Sequence, residues 1–81
     1  MDVLTFEVGA VLWRHPTRLW QLFSVVLGAG WASGADAVHV PVAAGDCVLW
    51  EPGEEHESGS DEGMVVVVVR QTPSRPLPDI A

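Results

Sequence analysis

The sequence has little positive charge, because four arginines and no lysine stand against eleven acidic residues. The resulting net charge of −7 argues against binding to a nucleic-acid backbone, which requires a basic surface. Six of the acidic residues fall between Glu51 and Glu62. They form either a solvated segment that keeps the protein soluble or a negative rim that attracts a cation.

Cysteine is equally scarce, since Cys47 is the only one and no disulfide can form within the chain. A single thiol suits a reducing compartment, and we expect Cys47 to pack in the core as a small hydrophobic residue. Residues 1–20 lack the basic start and the apolar run of a signal peptide. The longest apolar run, Met64–Val69, is far shorter than the roughly 20 residues that cross a bilayer. The sequence therefore predicts a cytoplasmic protein without a membrane segment.

Helix signals are sparse, because no apolar face at helical spacing persists beyond residues 15–22. Short segments rich in Val, Leu, Phe or Trp recur instead, separated by turn-forming Gly, Asp, Ser and Pro. The sequence predicts strands at Val3–Val8, Gln21–Leu27, Trp31–Ser33, Ala37–Pro41, Cys47–Glu51 and Met64–Arg70. Many short strands joined by regular turns are typical of a sandwich or a barrel, so we expect an all-β chain.

The chain is long enough for one domain, for which we predict a barrel over residues 1–70 and a proline-rich tail over 71–81. The run of valines at 65–69 has no polar alternation, so both faces of this strand should be buried. A barrel this small covers one face, and the four tryptophans are more indole than its core easily hides. We therefore predict a twofold homodimer with one face of residues 65–69 at the interface.

The segment from Gly45 to Ser60 has the most specific spacing in the chain. A Gly-Asp turn at Gly45 precedes a strand-like run, a Pro-Gly turn ends at Gly53, and His56 follows. This pattern resembles the second motif of the cupin superfamily, in which the histidine points into a β-barrel. Glu51 stands where the family usually has proline, and Ser60 stands where it has asparagine.

An upstream segment resembles the first cupin motif. Gly9, His15, Thr17, Gln21 and Gly28 follow one another at the family's spacing. Thr17 replaces the second histidine of that motif, and Gln21 replaces its glutamate. On a continuous strand residues 15, 17 and 21 would share one face, because side chains alternate. The two motifs together identify the chain as an all-β, single-domain, cupin-type jelly-roll β-barrel.

The resemblance implies a metal site at His15, Gln21 and His56, since typical cupins hold Mn, Fe, Ni or Zn with three histidines and a glutamate. Imidazole suits such metals, but this set has no anionic ligand and a threonine hydroxyl at Thr17 is a poor one. We expect weak or partial metal binding, with a metal-free site as the alternative. Without metal, His15 and His56 can serve as a general acid/base pair or as buried, hydrogen-bonded residues.

The resemblance implies a barrel that binds a small organic molecule, and one or two tryptophans are expected to line its pocket. One reading is an enzyme of the isomerase, cyclase or lyase type, which uses the metal or the histidine pair. Alternative readings are a non-catalytic ligand-binding or sensory module and a structural dimerisation barrel. The fold hosts all of these, so the sequence leaves open whether the protein is an enzyme. His39 is interpreted as an ordinary strand residue.

Overall fold

The computed structural model describes residues 1–72, which form strands and turns. The seven strands are β1 (Asp2–Phe6), β2 (Val11–Pro16), β3 (Trp20–Ser33), β4 (Val40–Ala43), β5 (Cys47–Trp50), β6 (Glu55–Gly59) and β7 (Met64–Gln71). Within residues 1–72 there is no helix that could pass through a membrane. The predicted all-β architecture is confirmed. From residue 73 onward the predicted proline-rich tail lies outside the described residues.

Strand β3 joins two antiparallel four-stranded sheets. In the first sheet its N-terminal half lies between β7 and β5, and β1 forms the edge beyond β7. In the second sheet its C-terminal half lies between β6 and β4, and β2 forms the edge beyond β6. This is the predicted jelly-roll barrel, built here around one shared strand.

The glycines at Gly28 and Gly30 bend β3 where the sequence analysis expected a turn between two strands. The register with β7 shifts between Val25 and Leu27, which is a β-bulge, and Gly28 has a φ of 77°. A Cβ atom on Gly28 would lie 2.2 Å from the carbonyl oxygen of Gly63. Only glycine fits at this position, so the strand changes sheets without ending.

Two strands, β2 and β6, were not predicted from the sequence. Strand β6 is Glu-His-Glu-Ser-Gly, which has no β-branched residue, and β2 ends in Arg14, His15 and Pro16. These segments are strands because they pair with each other and because β6 also pairs with β3. Pairing and burial outweigh the low intrinsic strand propensity of these residues.

The hydrophobic core fills the space between the two sheets. Its buried members are Phe6, Phe23, Val25, Ala32, Val42, Trp50, Met64, Val66 and Val68. In β5 the inward positions belong to Val48 and Trp50, so Cys47 and Leu49 point outward. The prediction that Cys47 lies in the core is therefore wrong, and its thiol is exposed.

Candidate functional site

The two histidines of the motifs face each other across neighbouring strands. His15 on β2 is paired in register with His56 on β6. Their rings meet edge to face, with centroids 4.5 Å apart and an interplanar angle of 65°. The two histidines, with 40 residues of sequence between them, therefore converge on one point in the barrel.

A β-bulge in β2 aims His15 at this point. The register with β6 shifts between Leu12 and His15, so one extra residue lies between two positions of the same face. Trp13, within the bulge, is 73% exposed. Bulges commonly re-aim a side chain in this way. Without the extra residue, the alternation of side chains along β2 would place His15 on the outside of the barrel.

The His56 imidazole is completely buried. It stacks on the Trp50 indole, with ring centroids 4.2 Å apart and an interplanar angle of 14°. Burial, followed by repulsion from His15, lowers the pKa of His56, and weaker effects of Glu54 oppose this shift. Neither ring nitrogen has a well-directed hydrogen bond within the described residues. The shift favours the neutral imidazole, whose nitrogens have no well-directed hydrogen bond there although the Glu54 backbone is close enough to interact with the ring.

His15 differs from His56 because it is half-buried and its tautomer is set by a hydrogen bond. Its Nδ1 lies 2.7 Å from the carbonyl oxygen of Trp13. A carbonyl oxygen only accepts, so Nδ1 carries the hydrogen and, in the neutral ring, Nε2 carries the lone pair. Ligating and catalytic histidines are commonly oriented by such a bond.

Gln21 lies in the barrel interior but on the opposite sheet from the histidine pair. It is 3% exposed and pairs with Trp50 on β5 and with Arg70 on β7. Trp50 therefore has Gln21 as its strand neighbour and His56 stacked on its ring. Trp50 is therefore the residue that Gln21 and His56 share as a neighbour.

Thr17 lies in the connection between β2 and β3. Strand β2 ends at Pro16 and β3 begins at Trp20, so the continuous strand assumed for residues 15–21 is absent from the structure. The Thr17 hydroxyl accepts a hydrogen bond from the Leu19 amide, and its carbonyl accepts one from Gly53. Proline lacks the amide hydrogen that a continued strand would use, which explains the break after Pro16.

Ser58 is a polar residue of the interior that the sequence analysis missed. It lies two residues after His56 on β6, so both side chains point to the same face. Ser58 is 1% exposed, and its hydroxyl has no hydrogen-bond partner within the described residues. Ser60, noted in the motif, instead bonds the Ala29 carbonyl and the Gly63 amide. The only signal for Ser58 in the sequence is its position two residues after His56, which places both side chains on the same face of a strand.

An aromatic column fills the barrel beside the histidines. Phe6, Phe23 and Trp50 make successive edge-to-face contacts, and Trp50 then stacks on His56. Trp50 thus has its ring in the interior, where it is 1% exposed. Three grooves of about 430, 360 and 200 Å³ lie elsewhere, and their walls include neither His15 nor His56. A ligand of the pair must approach from the half-buried side of His15.

His39 lies just before β4, outside the strand in which it was expected. Its ring stacks on Trp31 with centroids 3.7 Å apart and an interplanar angle of 7°. Its Nε2 lies 3.7 Å from a carboxylate oxygen of Glu57. This third histidine contacts Trp31 and Glu57 and not the pair, so it provides an internal control for it.

Solved structures with the same arrangement of strands reveal the fold. A predicted oxalate decarboxylase from Thermotoga maritima superposes with a TM-score of 0.80 at 19% identity, covering 86% of this chain and 63% of its own. A Cupin 2 conserved barrel domain protein from Salinispora arenicola gives 0.78 at 20% identity, covering 89% and 61%. The cupin domain of Drosophila melanogaster CENP-C gives 0.73 at 17% identity, covering 85% and 58%.

The chain has the cupin fold. It spans 58–63% of the length of these three chains. No protein-family model matches the sequence, and no curated protein is significantly similar to it. At such identities the likeness establishes the fold, and the chemistry must be inferred from the residues of this chain.

Proposed function

We propose that this cupin barrel binds a small polar organic ligand at the His15–His56 pair, with or without a divalent transition metal. The observation that carries the proposal is the buried His56 ring, whose two nitrogens make no well-directed hydrogen bond within the described residues. Unpaired buried polar groups cost about 1–3 kcal/mol each, so proteins retain them mainly where a water, an ion or a ligand completes them.

The donor set fits a weakly held metal better than a tightly held one. His15 Nε2 and a nitrogen of His56 are neutral donors, and imidazole suits Zn, Ni, Fe and Mn, whereas Gln21 is related to the pair only through Trp50. Within residues 1–72 no group of three or more His, Cys, Asp or Glu side chains is placed to hold a metal. When bound, such an ion would supply Lewis-acid polarisation of a ligand oxygen.

The two histidines have different roles in this proposal. His56 stays neutral because burial and its neighbour lower its pKa, so it provides a hydrogen bond or a lone pair. His15 is the more accessible ring, and its Nε2, which the Trp13 bond leaves with a lone pair, is the atom that can accept a hydrogen bond from a ligand.

Binding without turnover is the second candidate, and the filled interior favours it. The column of Phe6, Phe23 and Trp50 packs against the His56 side of the pair, and neither histidine lines any of the three grooves found among the described residues. A ligand would then contact the exposed part of His15 and would not be enclosed. Turnover assays of any ligand that binds separate the two candidates.

Metal binding to protein purified without an affinity tag tests the proposal. Co²⁺ reports imidazole ligation through its visible absorption, and ring nitrogen shifts measured by NMR report which histidines respond. We expect signals from His15 and His56 in the wild type and in the surface variant His39→Ala, and their loss in His56→Ala. Oxalate serves as the first organic probe, because a similar structure is described as a predicted oxalate decarboxylase. If neither Co²⁺ nor oxalate perturbs either ring, the pair is not a binding site.

A further inference from the structure

The third groove is a cleft between the edge strands β1 and β2, which belong to different sheets. It has a volume of about 200 Å³, and six residues line it: Leu4, Thr5, Phe6, Ala10, Val11 and Leu12. None of the six is charged, and Thr5 is the only polar one. We call it the β1–β2 cleft. Its walls favour an apolar, uncharged occupant.

Leu12 connects the cleft to the interior of the barrel. It is paired in register with Ser58 on β6, and residues paired in this way share one face of a sheet. Leu12 is 38% exposed, whereas Ser58 is 1% exposed. The side chain that forms part of the cleft wall is therefore the neighbour of the buried Ser58 hydroxyl. His15 follows Leu12 on the same strand, so the cleft lies on the accessible side of the histidine pair.

The buried polar atoms without a hydrogen bond are grouped on this face. Among residues 1–72 the buried side-chain nitrogen and oxygen atoms that lack a well-directed hydrogen bond are His56 Nδ1, His56 Nε2 and Ser58 Oγ. The two residues occupy successive inward positions of β6. Such atoms are rare in folded proteins. Their occurrence side by side indicates one site that a bound molecule completes.

We propose that the β1–β2 cleft and Ser58 extend the histidine site, and that its ligand is a small uncharged alcohol or phenol. The apolar body of the ligand occupies the cleft, and its hydroxyl bonds to Ser58 and His56. This inference rests on the proposed function, because it names the ligand class of the same site.

The chemistry of the unpaired atoms matches a hydroxyl group. A neutral imidazole has one donor and one acceptor, and a serine hydroxyl can do both, so a single ligand hydroxyl can donate to one and accept from the other. The cleft is smaller than the roughly 300–1,000 Å³ of sites for drug-sized molecules, which limits the ligand to one ring or a short chain. Leu12 is partly exposed and changes rotamer to admit the hydroxyl.

Two variants separate the two parts of this site. Leu12→Trp fills the cleft, and Val38→Trp is its matched control, because Val38 is 57% exposed and is not among the residues that line the cleft. Ser58→Ala removes the unpaired hydroxyl, and Ser24→Ala removes one that contacts the Cys47 thiol instead. Since the Ser58 hydroxyl makes no hydrogen bond within the described residues, its loss should not lower the urea midpoint of unfolding.

Fluorine NMR with 4-fluorophenol and its apolar analogue 4-fluorotoluene measures binding to the chelator-treated full chain. We expect Ser58→Ala to weaken 4-fluorophenol binding by roughly fivefold or more, which corresponds to one lost hydrogen bond, and to leave 4-fluorotoluene binding unchanged. Leu12→Trp should abolish the binding of both probes, whereas Val38→Trp and Ser24→Ala should bind as the wild type does. Ser58→Ala remains an independent test if Leu12→Trp does not fold.

The outcomes distinguish this inference from the proposed function. If Co²⁺ perturbs the rings of His15 and His56 but 4-fluorophenol does not bind, the histidine site stands and the inference is overturned. Binding of 4-fluorophenol that neither Leu12→Trp nor Ser58→Ala weakens also overturns it, as does a lower urea midpoint for Ser58→Ala without any change in binding. If neither Co²⁺ nor any organic probe perturbs the rings, the proposed function fails and the inference fails with it.

Discussion

The buried His56 ring predicts a specific dependence of stability on pH. In the unfolded chain its pKa takes the ordinary value of 6.5, whereas in the folded barrel desolvation and His15 lower it. Below pH 6.5 His56 is therefore protonated to a greater extent in the unfolded state than in the native state. The contribution of the neutral His56 ring to the free energy of unfolding is fully present above pH 6.5. This contribution is lost as the pH drops from there toward the folded pKa.

The magnitude follows from linkage. Each pH unit within that window lowers the free energy of unfolding by up to about 1.4 kcal/mol, until the folded pKa is reached. Small domains have only roughly 0.05–0.15 kcal/mol of stability per residue, so this loss is a sizeable fraction of the total. Carboxylates contribute their own pH dependence, and a variant that lacks only the His56 titration is needed to isolate the effect.

The variant His56→Phe supplies that comparison, because phenylalanine keeps an aromatic ring against Trp50 and does not titrate. Urea unfolding of chelator-treated protein at pH 7.5 and pH 5.5, followed by circular dichroism, gives the two free energies. We expect the wild type to lose up to about 1.4 kcal/mol more than His56→Phe over this interval. His39→Phe, at a side chain that is 53% exposed, should behave as the wild type. Parallel pH profiles for wild type and His56→Phe would refute the assignment of a neutral, desolvated ring.

Three further predictions use the same unfolding assay. Gly28→Ala should be far more destabilising than Gly45→Ala: both have positive φ, but only at Gly28 does a new Cβ atom meet backbone, whereas nothing lies within 4 Å at Gly45. Trp50→Ala should cost about 3–5 kcal/mol as a large core truncation, whereas Trp13→Ala, at 73% exposure, should change stability by less than about 0.5 kcal/mol. Glu54→Ala should lower the free energy of unfolding by about 1–3 kcal/mol, because two backbone amides lose a charged acceptor. An unchanged urea midpoint would show that these bonds do not stabilise the fold.

The predictable parts of the fold are those in which the backbone conformation restricts which residue can occupy a single position. Gly28, Gly45 and Gly53 all adopt positive φ, so the spacing of glycines in the two motifs reflects required turns and a required bend. The alternation in β7 is a second such feature, because successive valines point in turn into the core and toward the outside of the first sheet. These constraints are local, and local constraints are visible in a sequence.

Pairing could not be predicted, because it depends on residues distant in the chain. Strand β6 has weak intrinsic strand propensity and forms between β2 and β3, which supply its hydrogen-bond partners. Cys47 was misplaced for the same reason: whether a residue of β5 faces in or out is decided by Trp50, whose ring reaches Phe23 and His56. Side-chain size within a two-sided strand, and not hydrophobicity alone, determined which face became the core.

The pairing of His15 with His56 arises for a different reason from the one that the sequence suggested. Counting by alternation from Gln21 placed His15 on the inner face, but the strand assumed in that count ends at Pro16. What directs the ring inward is the bulge between Leu12 and His15. The same bulge contains Trp13, whose carbonyl accepts the hydrogen of His15 Nδ1. Orientation and tautomer of the accessible histidine thus have one local cause, so a change that removes the extra residue should abolish both together while leaving the buried His56 in place.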